Sequence, residues 1–189
     1  MTKLNGRRCE NGSADEMQTL VTETEEKRYA ELQQMALDYA RLGETESLVA
    51  MLRHGLPVNL ADGKGNTLLM LASYHGNLVT TRMLLAHGAD VERRNDRGQT
   101  PLGGVAFKGY EDIVALLLEH GGEVDADNGC GMTPIMFAAM FGRTKVVAQL
   151  QAHGASLQRR NRFGFSAGIL VWLFGWIGRL WKIRTKKPG

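Results

Sequence analysis

Cysteine is scarce in this chain, and its two cysteines are far apart. Cys9 and Cys130 are separated by 121 positions and have dissimilar neighbours. Such spacing provides neither a disulfide framework nor a set of metal ligands. We therefore expect a protein of a reducing compartment that holds no metal.

Long apolar runs are also lacking. The first 26 residues carry six acids and no apolar core of the kind that a secretory signal needs, so we interpret residues 1–26 as a flexible tail. A charge-free apolar stretch covers residues 167–178. As a helix it would measure about 18 Å, against about 30 Å of bilayer hydrocarbon. We do not expect it to span a membrane.

The usual sequence patterns of catalysis are missing. The chain has no phosphate-loop, activated-serine or metal-ligand motif, and each of these chemistries requires its residues at a characteristic spacing. We expect no enzyme and no cofactor.

Positive charge is concentrated at one end. The formal net charge is +3, and residues 159–189 hold eight Lys or Arg and no acid. The arginines of 93–97 and 159–162 could follow a phosphate backbone, but Ala126 and Asp127 occupy the intervening positions. We interpret Arg94, Asp127 and Arg160 as a row of alternating charge. We do not expect a nucleic-acid partner.

What the sequence has in abundance is repetition. His-Gly recurs at positions 54, 87, 120 and 153, which is a step of 33 residues. The same step separates Gly65-Asn66-Thr67, Gly98-Gln99-Thr100 and Gly131-Met132-Thr133, and also the glycines at 43, 76, 109, 142 and 175. Three markers with one shared period indicate a repeat solenoid.

Each period contains two short helices, such as Thr100 to Lys108 and Glu111 to His120. Gly109 separates them at a tight turn. A threonine suits the N-cap and the proline after it suits the first helical position. The glycine of His-Gly suits a left-handed C-cap. The predicted unit is therefore helix, turn, helix and an extended finger.

The segments 98–102, Gly-Gln-Thr-Pro-Leu, and 113–121, which ends in His-Gly, resemble the ankyrin repeat, and the 33-residue period matches. The resemblance covers roughly residues 27–183. One departure is that the family's usual His after Thr-Pro-Leu is Met70, Gly103 or Met136 here, so the usual Thr-to-His hydrogen bond is absent.

The resemblance implies an all-α repeat solenoid with three full repeats and two capping units. The predicted segments are an N-terminal capping helical pair (27–61), repeats at 62–94, 95–127 and 128–160, a truncated C-terminal capping repeat (161–183) and a basic tail (184–189). The family also implies a non-enzymatic, cytoplasmic adaptor that binds another protein.

Stacked repeats form a concave groove between their fingers and inner helices, and aromatic side chains and arginines usually dominate the energy of interfaces. The predicted partner-binding residues are Tyr74, His75, Arg97, Gln99, Phe107, Lys108, Met132, Phe141 and Phe163. For Met140 and Phe141, packing between adjacent repeats is an equally good interpretation.

The C-terminal segment allows a second interpretation of function. Gly175 is in register with the turn glycines, which favours a capping repeat. Aromatic rings beside basic residues are, however, also typical of an anchor at the surface of an anionic membrane. The candidate docking residues are Trp172, Trp176, Trp181, Lys182 and Arg184. The alternative to a soluble adaptor is thus a membrane-peripheral one.

Overall fold

The computed structural model describes residues 12–172, which form a series of α-helices joined by short turns and finger loops. The helices are α1 (Gly12–Leu42), α2 (Thr45–Arg53), α3 (Leu68–Tyr74), α4 (Leu78–Ala86), α5 (Pro101–Lys108), α6 (Glu111–Glu119), α7 (Pro134–Met140) and α8 (Thr144–Ala152). A further helical stretch is described over residues 167–172. The predicted all-α repeat architecture is confirmed. None of the helices within 12–172 has the length and apolarity needed to cross a bilayer.

The first helix begins earlier than predicted. It starts at Gly12, so the interpretation of residues 12–26 as a flexible tail is wrong. From Ser13 to Leu42 the chain contains neither glycine nor proline, the two residues that most disfavour a helix. Residues 12–35 belong to one unit, and the repeats belong to the unit that begins at Ala36.

In the repeat unit, helices pack in two rows. The inner helices α3, α5 and α7 contact one another in sequence, and the outer helices α2, α4, α6 and α8 do the same. Each full repeat contributes one inner and one outer leucine or isoleucine that is fully shielded from water, namely Leu68 and Leu84, Leu102 and Leu117, and Ile135 and Leu150. Burial of such side chains contributes about 1.5–3 kcal/mol each.

The outer helices all end in the same way. His54, His87, His120 and His153 are their C-caps. Each ring donates from Nδ1 to the carbonyl four residues earlier, over 2.7–2.9 Å. The following glycine is left-handed, with φ between 81° and 95°. The periodic histidines are therefore explained as helix caps, and no cluster of three metal-ligating side chains occurs in residues 12–172.

The inner helices begin at threonines, but only two of the three hydroxyls act as caps. Thr67 accepts from the Met70 N–H and Thr100 from the Gly103 N–H, both at 3.2 Å. In α7 the Met136 N–H donates to the Thr133 carbonyl instead, at 3.0 Å. Within the described part of the chain, the buried Thr133 Oγ1 has no hydrogen-bond partner.

Three of the four fingers are closed by the same side-chain bridge. Asp62, Asn95 and Asn161 each accept from the backbone N–H groups two and four residues ahead. Such bridges are typical of Asp and Asn in turns. They hold the finger tips in fixed conformations.

The third finger has the same type of bridge, but one residue earlier in the repeat. Asp127 accepts from the Gly129 and Gly131 N–H groups at 2.9 and 3.0 Å, and residues 129–131 all have positive φ. The neighbouring Asn128 is thereby free to turn inward. Its Oδ1 accepts from the Thr100 N–H at 2.7 Å and from the Thr100 hydroxyl at 3.0 Å.

Asn128 fills the space left by Gly103. A β-carbon on Gly103 would lie only 2.5 Å from Asn128 Cγ. In the second repeat, the missing Thr-to-His hydrogen bond is thus replaced by the hydrogen bonds that Thr100 donates to Asn128 of the following finger.

The predicted row of alternating charge is wrong. Arg94 donates to the backbone carbonyl oxygen of Asp127, and its nearest carboxylate is that of Glu123, at 3.9 Å. The Asp127 carboxylate is engaged by its own loop. Arg160 reaches the Gly164 carbonyl at 3.5 Å. These arginines therefore contact finger backbones and do not pair with Asp127.

The fourth finger leads into the start of another inner helix. Ala167 and Leu170 are buried, and the Gly168 N–H donates to the Leu157 carbonyl at 3.1 Å. This end of the chain therefore packs on the third repeat as far as it is described. The rest of the predicted capping repeat, 173–183, and the basic tail, 184–189, lie outside the described residues.

Candidate functional site

The inner helices and the finger loops enclose a groove of about 620 Å³. Tyr74 ends α3, Phe107 precedes the last residue of α5 and Phe141 caps α7. The 33-residue period places Tyr74 and Phe107 at corresponding positions, and Phe141 follows one residue after the third such position, Met140. These three rings line the groove, and we call them the aromatic row.

The aromatic row is continuous. The rings of Tyr74 and Phe107 have centroids 6.3 Å apart and planes within 6° of parallel, and Phe107 meets Phe141 edge-to-face at 4.3 Å. Tyr74 and Phe141 are 39% and 45% exposed, whereas Phe107 is half-buried. Phe141 thus packs against Phe107 of the neighbouring repeat, lines the groove and is nearly half exposed. Packing of Phe141 against a neighbouring repeat is therefore observed, and its role in partner binding stays a prediction.

A missing side chain gives the groove its depth. Gly104 occupies the α5 position that is Leu71 in α3 and Phe137 in α7, and all three line the groove. A β-carbon on Gly104 would meet only Tyr74, at 3.4 Å from its Cδ2. The second repeat therefore has a pit beside Tyr74, which we call the Gly104 pit.

The opposite wall comes from the first two fingers, which are tied together. Asn95 donates to Asn66 Oδ1 at 2.9 Å and to Gln99 Oε1 at 3.1 Å. The Asp96 N–H donates to the Lys64 carbonyl at 3.1 Å. These bonds fix the position of Gln99 on the wall and leave the exposed Arg97 at its rim.

Among the residues that line the groove, basic side chains outnumber carboxylates. Arg41, Lys64 and Arg97 line the groove together with one carboxylate, that of Asp62. Arg41 donates to Asp38 at 2.6 Å and to Asp62 at 3.5 Å. Partial burial raises the pKa of Asp62, but hydrogen bonds from Asn66 and the Lys64 N–H, with the charge of Arg41, outweigh it and hold that pKa below its ordinary value.

Seven of the nine predicted partner-binding residues lie at the groove. Tyr74, His75, Arg97, Gln99, Phe107 and Phe141 line it, and Lys108 holds its Nζ 4.4 Å from the centroid of the Tyr74 ring. One ring nitrogen of His75 already has a partner within the protein, because Nδ1 donates to the Leu71 carbonyl at 2.8 Å.

Met132 and Phe163 do not line the groove. Met132 is half-buried against the core, and its sulfur accepts from Asn161 Nδ2 at 3.2 Å. Phe163 is 69% exposed on the fourth finger. Of the candidate docking residues, Trp172 is also 69% exposed. Trp176, Trp181, Lys182 and Arg184 lie outside the described residues.

Several lining residues were absent from the prediction, among them Arg41, Asp62, Met70, Gly104 and Phe137. Arg41 belongs to the predicted capping pair, which has no finger motif to align. Gly104 has no side chain that could bind a partner, so it was not predicted as a site residue. The 33-residue period aligns it with Leu71 and Phe137, and this alignment could have identified the position.

The stacked helix pairs, the finger loops and the open groove define the class of this protein, which is a helical-repeat protein. A family model described as ankyrin repeats (3 copies) matches residues 32–128 and 93–161. Because these matches together cover well over half of the chain, the protein belongs to the ankyrin repeat family. Ankyrin repeats generally mediate protein–protein interaction, and the family is typically non-enzymatic.

An ankyrin repeat protein of Pseudomonas aeruginosa is 52% identical to this chain over 46 residues, which are 24% of this chain and 27% of the relative. The chain thus aligns with about a quarter of that relative's length. This similarity agrees with membership of the ankyrin repeat family, and it identifies no binding partner.

Proposed function

We propose that this protein is an adaptor that binds a partner protein in the groove, with the aromatic row as the main contact. The observation that carries the proposal is the combination of exposed, mutually packed rings with the adjacent Gly104 pit. Rings already held by their neighbours lose little side-chain entropy on binding. Aromatic anchors that fill such pockets commonly contribute 2 kcal/mol or more to affinity by alanine substitution, as an order of magnitude.

Two variants test the groove in opposite ways. Tyr74→Ala removes an exposed ring, and Gly104→Leu fills the pit without removing any contact. Phe165→Ala is the matched control, because Phe165 is 46% exposed but lies on the fourth finger and is not among the residues that line the groove. Tyr74 is preferable to Phe107 as a target, since Phe107 is half-buried and its loss would also weaken packing.

The measurement is affinity capture from native lysate, with the partner identified by mass spectrometry and each variant's fold checked by circular dichroism. We expect a stoichiometric partner that is lost with both groove variants and kept by Phe165→Ala. A partner that both groove variants retain at wild-type yield would refute the assignment of the groove.

A second candidate function is docking on an anionic membrane surface. It is supported by one described feature, the exposed side chains of Ile169, Val171 and Trp172 next to the basic C-terminal sequence. Fractionating the same lysates distinguishes the candidates. Recovery with membranes that survives Tyr74→Ala but fails with Trp172→Ala would favour docking, whereas a wholly soluble pool would remove it.

A further inference from the structure

The charges around the groove indicate the chemistry of its occupant. The one lining carboxylate, Asp62, is already satisfied inside the protein. It accepts from the N–H groups of Lys64 and Asn66, each at 2.9 Å, from Asn66 Nδ2 at 3.0 and 3.2 Å, and from Arg41 at 3.5 Å. Asp62 is therefore a structural group of the finger and has little capacity left for a ligand cation.

The cations at the rim form no ion pair with any residue that the structure describes. The ion pairs found among the described residues are Arg41 with Asp38 and Asp62, Arg94 with Glu123, and Lys145 with Glu111. Lys64 and Arg97, both exposed, take part in none of these, and neither does Lys108. The finger cations Lys64 and Arg97 are one repeat apart and their loops are hydrogen-bonded together.

Apolar and cationic surfaces meet at Tyr74. Lys108 Nζ lies 4.4 Å from the Tyr74 ring centroid, a distance typical of a cation–π contact. The ammonium group is thus held beside the aromatic row. A ligand whose apolar side chain enters the Gly104 pit would place its neighbouring residues near this cation.

We infer that the groove binds an acidic peptide segment that carries one large apolar or aromatic anchor. The anchor enters the Gly104 pit against the aromatic row, and acidic residues beside it pair with Lys108 on one side and with Lys64 and Arg97 on the other. This inference rests on the proposed function and specifies the partner's chemistry.

Other occupants fit less well. A basic segment would place like charges together, which costs several kcal/mol as an order of magnitude, and this disfavours the chain's own residues 173–189, which hold five Lys or Arg and no acid. A neutral segment would take water from Lys64 and Arg97 without replacing it by a counter-charge. An acidic segment alone avoids both costs.

The test is selection of a random dodecapeptide library, displayed on phage, against the full-length protein. We expect the enriched peptides to have net negative charge and at least one Phe, Tyr, Trp, Leu or Met. Their binding, measured by fluorescence anisotropy with synthetic copies, should be lost with Tyr74→Ala and should weaken as salt is raised, because salt screens exposed charges.

Charge reversal provides the matched comparison. Selection against Lys64→Glu/Arg97→Glu should shift the mean net charge of enriched peptides from negative to neutral or positive. The control is Arg82→Glu/Arg93→Glu, which makes the same change of net charge at exposed positions outside the groove and should leave the selection unchanged.

The outcomes separate this inference from the function on which it rests. Enriched peptides that are neutral or basic but still require Tyr74 would overturn the acidic partner and leave the groove assignment in place. Enriched peptides that bind the Tyr74→Ala variant as well as wild type, or a selection without enrichment, would count against both the acidic partner and the groove assignment. A preference that shifts equally in the control variant would also overturn the inference, because it would then reflect net charge alone.

Discussion

Gly103→Ala should destabilise this protein, although alanine is ordinarily the better helix residue. The added β-carbon would lie 2.5 Å from Asn128 Cγ, so the Asn128 side chain must leave its site. Thr100 is only 2% exposed, and its backbone N–H would then lose its acceptor, Asn128 Oδ1, which lies at 2.7 Å. A buried donor without a partner costs about 1–3 kcal/mol.

Against this loss, replacing glycine by alanine inside a helix gains about 0.5–1 kcal/mol. The net effect should be a destabilisation of about 1–2 kcal/mol, or a fall in Tm of roughly 2–8 °C for a chain of this size. Urea denaturation followed by circular dichroism at 222 nm measures the first quantity, and a thermal scan measures the second.

Gly104→Ala is the internal control, since it lies one position further along the same helix. Its β-carbon would meet only the Tyr74 ring, at an ordinary 3.4 Å, so the helix gain should appear alone and the variant should be slightly more stable than wild type. Equal stability of the two variants would show that Asn128 does not occupy the space beside Gly103, and the account of the third finger would fail.

Two further predictions concern the polar groups of the repeats. Thr133→Val should match or exceed the stability of wild type in urea, because the Thr133 hydroxyl is buried without a partner in the described chain. Thr100→Val should instead lose about 1 kcal/mol, because it removes the helix cap. A loss for Thr133→Val that is larger than the loss for Thr100→Val would contradict this prediction. The pKa of Asp62 is lowered in the folded state, so its contribution to stability is present above the unfolded-state value of about 3.9 and is lost as pH falls through the lower folded value. Asp62→Asn, which retains the turn geometry of Asn95 and Asn161, should therefore remove this part of the acid sensitivity, and a difference between variant and wild-type unfolding free energies that stays constant from neutral pH to about pH 2 would refute the assignment.

The ends of the outer helices could be predicted from the sequence because a characteristic residue marks each of them. His54 and its three counterparts end the outer helices as caps, and the turn glycines adopt the left-handed conformation that their spacing indicates. Tyr74 and Phe107 could be placed at the groove because they are one period apart, and Phe141 because it directly follows Met140, the next position in that register.

What could not be predicted depends on contacts between repeats. The sequence aligns Asn128 with Asp62 and Asn95, which suggests the same role in the finger, but Asn128 instead reaches back to Thr100. The difference arises because the preceding inner helix has glycine at position 103 and because Asp127 can close the loop in its place. Neither condition is visible within a single repeat. The start of α1 was missed for a simpler reason, since residues 12–26 lie outside the periodic pattern.

The adjacent glycines of α5 show how the stack and its groove can vary independently. Both lack a side chain, but they face different neighbours. At Gly103 the vacancy is filled by Asn128, and the result is a stabilising bond between repeats. At Gly104 no part of the described chain other than Tyr74 lies near the vacancy, so the space remains open to a ligand. Substitutions at Gly103 should therefore alter stability with little direct effect on the groove, whereas larger residues at Gly104 should block binding in a protein that still folds.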